Sequence, residues 1–124
     1  MTAPVSVVLA DDSTTIRSML GSLLEEDPDI DLAGLASDGP QAVEMALSRR
    51  PDVVILDVQM PGLDGLRATR RILAEWPEAR VILHTAYPDD GLASEACQAG
   101  AAGYLTKDQR PSALIATVLK VAQS

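Results

Sequence analysis

A chain of 124 residues suits one domain and leaves little room for a second. Hydrophobic residues make up 47% and aromatics only 2%, with no Phe, so the chain reads as globular with a core of Val, Leu, Ile, Met and Ala. The formal net charge of −8 argues against direct nucleic-acid binding, and no apolar run approaches the ~18 residues of a membrane span.

The start at Met1–Pro4 lacks the basic and apolar regions of a signal peptide. A single cysteine, Cys97, excludes an internal disulfide and fits a reducing cytoplasm. Arg67, Arg70 and Arg71 form the one basic cluster, and they read as the solvated face of a helix.

Along the chain, Val5–Ala10 reads as an aliphatic strand ending in Asp11-Asp12. Ile16, Met19, Leu20, Leu23 and Leu24 then recur at helical spacing, closed by Asp27-Pro28. A second strand, Ile30–Ala36, is followed after Gly39 by a helix carrying Ala42, Val43, Met45, Ala46 and Leu47. The third strand, Val53–Asp57, ends in a carboxylate, and Met60-Pro61-Gly62 turns the chain. Leu63, Leu66, Ile72 and Leu73 predict a third helix starting near Leu63. Val81–Thr85 is the fourth strand, and Leu92, Ala96 and Ala99 give a weaker fourth helix between Pro88 and Gly100. Gly103–Thr106 leads to Lys107, and beyond Pro111 come Leu114, Ile115, Val118 and Leu119 of a fifth helix. Trp76 and Cys97 read as packing residues.

Alternating strands and helices imply right-handed crossovers and a parallel sheet covered on both faces. Runs such as "SVVLA" and "DVVIL" agree, since a strand buried on both sides need not alternate. The expectation is one α/β domain over residues 1–124, a flavodoxin-like (βα)₅ three-layer sandwich with strand order 2-1-3-4-5. The C-terminal ends of such strands share one edge, where ligands bind. That edge gathers Asp11, Asp12, Asp57, Thr85 and Lys107. At about 5 Å and an effective dielectric near 20, each carboxylate pair costs roughly 3 kcal/mol, so a divalent cation is expected to offset the repulsion. An all-oxygen donor set suits Mg²⁺. Zinc is not expected, because His84 and Cys97 lie on separate elements.

Plainer readings stand beside these. Asp57 could cap the following helix, and Asp12 or Ser13 could cap the one starting near Thr14. Thr85 could be an ordinary strand residue and Tyr104 an ordinary half-buried strand tyrosine. A flavin mononucleotide carrier would share the fold, yet "DSTTIRS" has no glycine to form a phosphate loop. A Mg²⁺-dependent phosphohydrolase would carry a second acid where Gln59 stands. A domain of this shape could also act by binding partners alone, with no chemistry at the edge.

The set "VLADDS", "DVVILDVQMPGLDG", "HTA" and "GYLTK", in this order, resembles the receiver domain of bacterial two-component response regulators over essentially the whole chain. The segments "SDGPQAVEMA" and "AGAAGYLTKD" look most like the NarL/LuxR-type subfamily. The resemblance implies that Asp57 accepts a phosphoryl group from a phosphohistidine on a sensor histidine kinase. It implies that Asp12 ligates Mg²⁺ directly and Asp11 mainly through water, with Asp57 and the backbone carbonyl of Gln59 completing the set. Lys107 and Thr85 would contact phosphoryl oxygens, and Tyr104 would be the switch aromatic that follows Thr85.

On the same ground the chain is not an enzyme beyond assisting its own Mg²⁺-dependent phosphorylation and dephosphorylation. A homodimer on phosphorylation is expected, with DNA reached only through a C-terminal helix-turn-helix domain absent from these residues. Gln59 and Tyr87 hold the two variable positions that tune phosphate lifetime in the family. Lys107 precedes Asp108 rather than the proline of many receivers, which leaves that peptide's isomer open. His84 reads as a hydrogen-bonded strand histidine, with a pH-sensing role as the alternative.

Overall fold

The computed structural model describes residues 3–123. The ends of the expected domain, Met1, Thr2 and Ser124, lie outside the described residues. Five strands and five helices alternate: β1 (Val5–Ala10), α1 (Thr14–Glu26), β2 (Ile30–Ala36), α2 (Gly39–Arg49), β3 (Val53–Asp57), α3 (Gly65–Glu75), β4 (Val81–Thr85), α4 (Leu92–Ala99), β5 (Gly103–Thr106) and α5 (Pro111–Ala122). All strand pairs are parallel, and the sheet order is β2-β1-β3-β4-β5, as expected. Among the described residues no helix is long and apolar enough to cross a membrane.

Each face of the sheet has its own core. Val8, Val54, Leu56, Val81 and Leu83 pack with residues of α2, α3 and α4. Val7, Leu9, Val53, Ile55 and Ile82 pack with α1 and α5 through Leu20, Leu24, Leu114 and Val118. Every residue of β3 and β4 is buried, which explains why these strands show no polar alternation. Their apolar side chains hold the strands in place, and the polar groups at their tips inherit that rigidity.

Helix starts follow their caps. Ser13 caps α1, Asp38 caps α2 and Asp64 caps α3, each accepting from a backbone N–H in the first turn. The third helix therefore begins at Gly65 rather than near Leu63, because the side chain of Asp64 ends the preceding loop. Gly62 has φ of 79°, a left-handed conformation that glycine adopts without strain. Gly65 has no space for a side chain, since a Cβ there would overlap the carbonyl oxygen of Asp57. Its N–H donates to the carbonyl of Val58 at 2.8 Å, clamping α3 against the end of β3.

Arg67, Arg70 and Arg71 are all exposed, as expected of a solvated helix face. Trp76 packs against the α2–α4 core, with the Arg50 guanidinium 5.5 Å from its ring centre. Cys97 does not pack. It is exposed on α4, whose buried stripe is carried by Leu92, Ala96 and Ala99. No peptide bond among the described residues is cis, so Lys107–Asp108 is trans.

Gly65→Ala is expected to cost about 1–3 kcal/mol, because the added methyl forces α3 away from β3. Gly21→Ala, within α1 and 3.4 Å from the nearest side-chain atom of Leu35, is expected to add up to about 1 kcal/mol through helix propensity. Urea unfolding of the two variants checks both signs.

Candidate functional site

The C-terminal edge of the sheet brings Asp11, Asp12 and Asp57 together, with one oxygen from each lying within 4.8 Å of the others. Each arrives from a rigid support. Asp11 is 1% exposed and held at every polar atom. Its N–H donates to Ala36 O at 3.1 Å, its Oδ1 accepts from Ser13 N at 2.9 Å, and its carbonyl accepts from Arg17 Nη1 at 2.7 Å. Arg17 was not anticipated from sequence. Its place in the first turns of α1, four residues after the cap Ser13, is the only signal that it reaches back over the loop.

The capping alternatives resolve cleanly. Ser13 Oγ accepts from Ile16 N at 3.2 Å, so Ser13 is the cap and Asp12 stays exposed beside the cluster. Asp64 caps the helix after β3, so Asp57 does not. Asp57 is 5% exposed, and its Oδ1 accepts from Gln59 N at 3.1 Å. Gln59 is exposed at the rim of the crevice.

Lys107 extends from the end of β5 between two of these acids. Its Nζ lies 2.6 Å from Asp11 Oδ2 and 3.1 Å from Asp57 Oδ2. Burial works against its charge, but the hydrogen bonds to Asp11 and Asp57 outweigh that and raise its pKa. Asp57 shows the opposite balance. Burial dominates there and pushes its pKa up to about 6, although Lys107 and the Gln59 N–H pull it down. Three carboxylates facing one ammonium leave two negative charges when all are ionised.

Above Asp57 lies a crevice of about 330 Å³, lined by Asp12, Ser13, Asp57, Gln59, Tyr87 and Lys107 among others. The donor set is wholly oxygen, with room beside it for solvent ligands. Such a site fits a hard divalent cation and not zinc.

Thr85 and Tyr104 are not part of this cluster. Thr85 is 1% exposed, and its Oγ1 accepts from Tyr87 N at 3.1 Å. Tyr104 is half-buried against the α2–α4 core, and burial with the nearby Asp89 charge raises its pKa. The two share one sheet face, because Tyr104 pairs with Leu83 and Thr106 with Thr85. His84 departs from its expected role. It is buried, yet its Nδ1 has no hydrogen-bond partner. Burial and the Lys107 charge lower its pKa to about 4, so it is neutral in the physiological range.

Comparison with known proteins agrees with this edge. Residues 7–119 match the family described as "Response regulator receiver domain". The transcriptional regulatory protein LiaR of Bacillus subtilis is 37% identical over 118 residues, covering 95% of this chain and 56% of its own length. The chain thus spans about half the length of that relative. The receiver domain of NarL from Mycobacterium tuberculosis superimposes with a TM-score of 0.95 at 32% identity, covering 99% of both chains. CheY of Borrelia burgdorferi, solved with CheX, BeF₃ and Mg²⁺, gives a TM-score of 0.89 at 26% identity, covering 96% of this chain and 90% of its own. With the acids, the lysine and the sheet order all in place, this chain belongs to the response regulator receiver domain family, in its NarL/LuxR-type branch.

Proposed function

We propose that Asp57 is the phosphoacceptor of this receiver and that a sensor histidine kinase supplies the phosphoryl group. The observation that carries this reading is the Lys107 ammonium set between Asp11 and Asp57 at the mouth of the crevice. A carboxylate oxygen of Asp57 attacks the phosphorus of the kinase phosphohistidine. The new O–P bond forms as the P–N bond breaks, and the imidazole leaves with the electron pair and takes up a proton. Rigid, fully buried β3 holds the nucleophile in line.

Asp11, Asp12, Asp57 and the Gln59 backbone carbonyl would hold Mg²⁺. When bound, Mg²⁺ neutralises charge on the acids and on the transferring phosphoryl oxygens. Lys107 already donates to Asp57 Oδ2, so a small rotation of its long side chain would follow the charge onto a phosphoryl oxygen. Thr85 engages its oxygen with Tyr87 N–H, which leaves its hydroxyl proton to be given to another phosphoryl oxygen. Tyr104 shares its sheet face and follows into the space that Thr85 vacates. These contacts exist only in the phosphorylated state, which is what a shift of conformational population requires.

On this reading residues 1–124 act as one receiver unit in the cytoplasm. Phosphorylation favours a homodimer, and DNA is contacted through a separate C-terminal output domain. LiaR, being a transcriptional regulator about twice the matched length, supports that arrangement.

Incubation with acetyl phosphate and Mg²⁺ is expected to add one phosphoryl group, read by intact mass. The gain should vanish in Asp57→Asn and with EDTA, and Lys107→Ala should slow it by about 10²-fold. Labelling that persists in Asp57→Asn would overturn the assignment.

The raised pKa of Asp57 also fixes a sign. The native state binds this proton more tightly than the unfolded chain, so stability falls as pH rises from 3.8 through about 6. Without divalent cations, Asp57→Asn is therefore expected to exceed the wild type at pH above about 7 by about 1–3 kcal/mol. The gap should close in acid, and added Mg²⁺ should stabilise the wild type far more than the variant. Urea unfolding across pH, with EDTA or Mg²⁺, measures all three.

A further inference from the structure

Of the three clustered acids, Asp12 is the one whose side chain nothing holds. Asp11 is fixed through Ser13 N and Lys107, and Asp57 through Gln59 N and Lys107. The carboxylate of Asp12 is exposed and meets no hydrogen-bond or ion-pair partner among the described residues. Its direction is therefore set by the backbone that carries it.

Arg17 grips that backbone. Its Nη1 donates to the carbonyl of Asp11 at 2.7 Å. This carbonyl belongs to the peptide joining Asp11 to Asp12, and a planar peptide carries its oxygen and the next Cα as one rigid unit. Holding the oxygen thus places the Cα of Asp12. A guanidinium N–H on a carbonyl is also a charge-assisted bond, stronger than the neutral kind.

The position of Arg17 in α1 points the same way. Arg17 closes the first turn, where its own N–H donates to Ser13 O at 2.9 Å. The positive end of the helix dipole disfavours a cation there, and the first turn has no acidic residue to offset it. Helical side chains lean back toward the N-terminus, which brings the guanidinium over Asp11. Burial, Lys107, the Gln59 N–H and Asp11 shift the proton affinity of Asp57, and Arg17 has no part in it. The arginine acts through the peptide it holds and not through its field.

We propose that Arg17 is a positioning residue of the metal site: by holding the Asp11–Asp12 peptide it aims the Asp12 carboxylate and so sets the affinity for a divalent cation. This rests on the Mg²⁺ site proposed above. Outer residues that orient metal ligands are worth about 10- to 100-fold in affinity.

Charge and positioning predict opposite signs. A guanidinium beside the site repels a cation, so loss of its charge alone would tighten Mg²⁺ binding, whereas loss of its grip weakens it. Mg²⁺ titration of the isotope-labelled chain, read from the amide shifts of Asp12, Asp57 and Gln59, is expected to give a dissociation constant about ten-fold higher in Arg17→Ala. Arg17→Lys, which keeps a charged donor, should fall between that variant and the wild type. Should Arg17→Ala not fold, Arg17→Lys carries the test with the same sign. Leu23→Ala, on the packed side of α1, should lower the urea midpoint and leave the constant unchanged.

A constant that is unchanged or tighter in Arg17→Ala overturns the positioning role, whatever happens to the urea midpoint. No saturable shift at these amides in the wild type overturns the metal site itself, and this role with it.

Discussion

Everything at the functional edge depends on the ammonium of Lys107 lying between Asp11 and Asp57. Two nearly buried carboxylates side by side are unstable as neighbours, and desolvation makes each worse. Lys107 offsets that from the far side of the sheet, so the end of β5 is tied to the ends of β1 and β3. Its own N–H bonds to Thr85 O at 2.7 Å, which ties β4 into the same frame. One residue thus links four strand ends, through its side chain to β1 and β3 and through its backbone N–H to β4.

The frame tolerates this charge because everything beneath it is apolar and immobile. Val53 to Leu56 and Val81 to Leu83 are fully buried between two helical layers. A close-packed interior resists small displacements, so the acids stay where the strands put them. The glycine at position 65 serves the same end, letting α3 approach β3 directly below Asp57. Arg17 completes the arrangement from α1 by holding the carbonyl of Asp11.

The balance at Asp57 has a functional meaning. Burial outweighs its attraction to Lys107, so its pKa, at about 6, lies much closer to neutral pH than an ordinary carboxylate's. A carboxylate of that kind gains from any additional cation. On the proposed function, the residual charge of the cluster and the open crevice above it would draw metal and phosphoryl group to one place. His84, its register partner on β4, is kept neutral by burial as well and lines the adjoining cavity between α1 and α5.

Much of this was legible in the residues themselves. Strand and helix alternation, the two-sided burial of β3, and the placement of acids and Lys107 at strand ends all follow from local pattern, because side-chain periodicity reports burial directly. The helix α3 starts at Gly65, two residues past the expected Leu63, because a hydrophobic residue just before a cap resembles one just inside it; the bond from Arg67 N to Asp64 marks the boundary. Cys97 is exposed rather than packed, since a small apolar residue on a short helix carries no facing information. Arg17, the orphaned nitrogen of His84 and the cavity beside it left no trace in the order of residues. The sequence by itself determined the layers, the sheet and which groups reach its edge, since these depend on hydrophobic period and chain connectivity. Tertiary structure alone decided which oxygen Lys107 meets, which serine caps, and which nitrogen is left without a partner, because those outcomes turn on distances of a few ångströms between residues far apart in the chain.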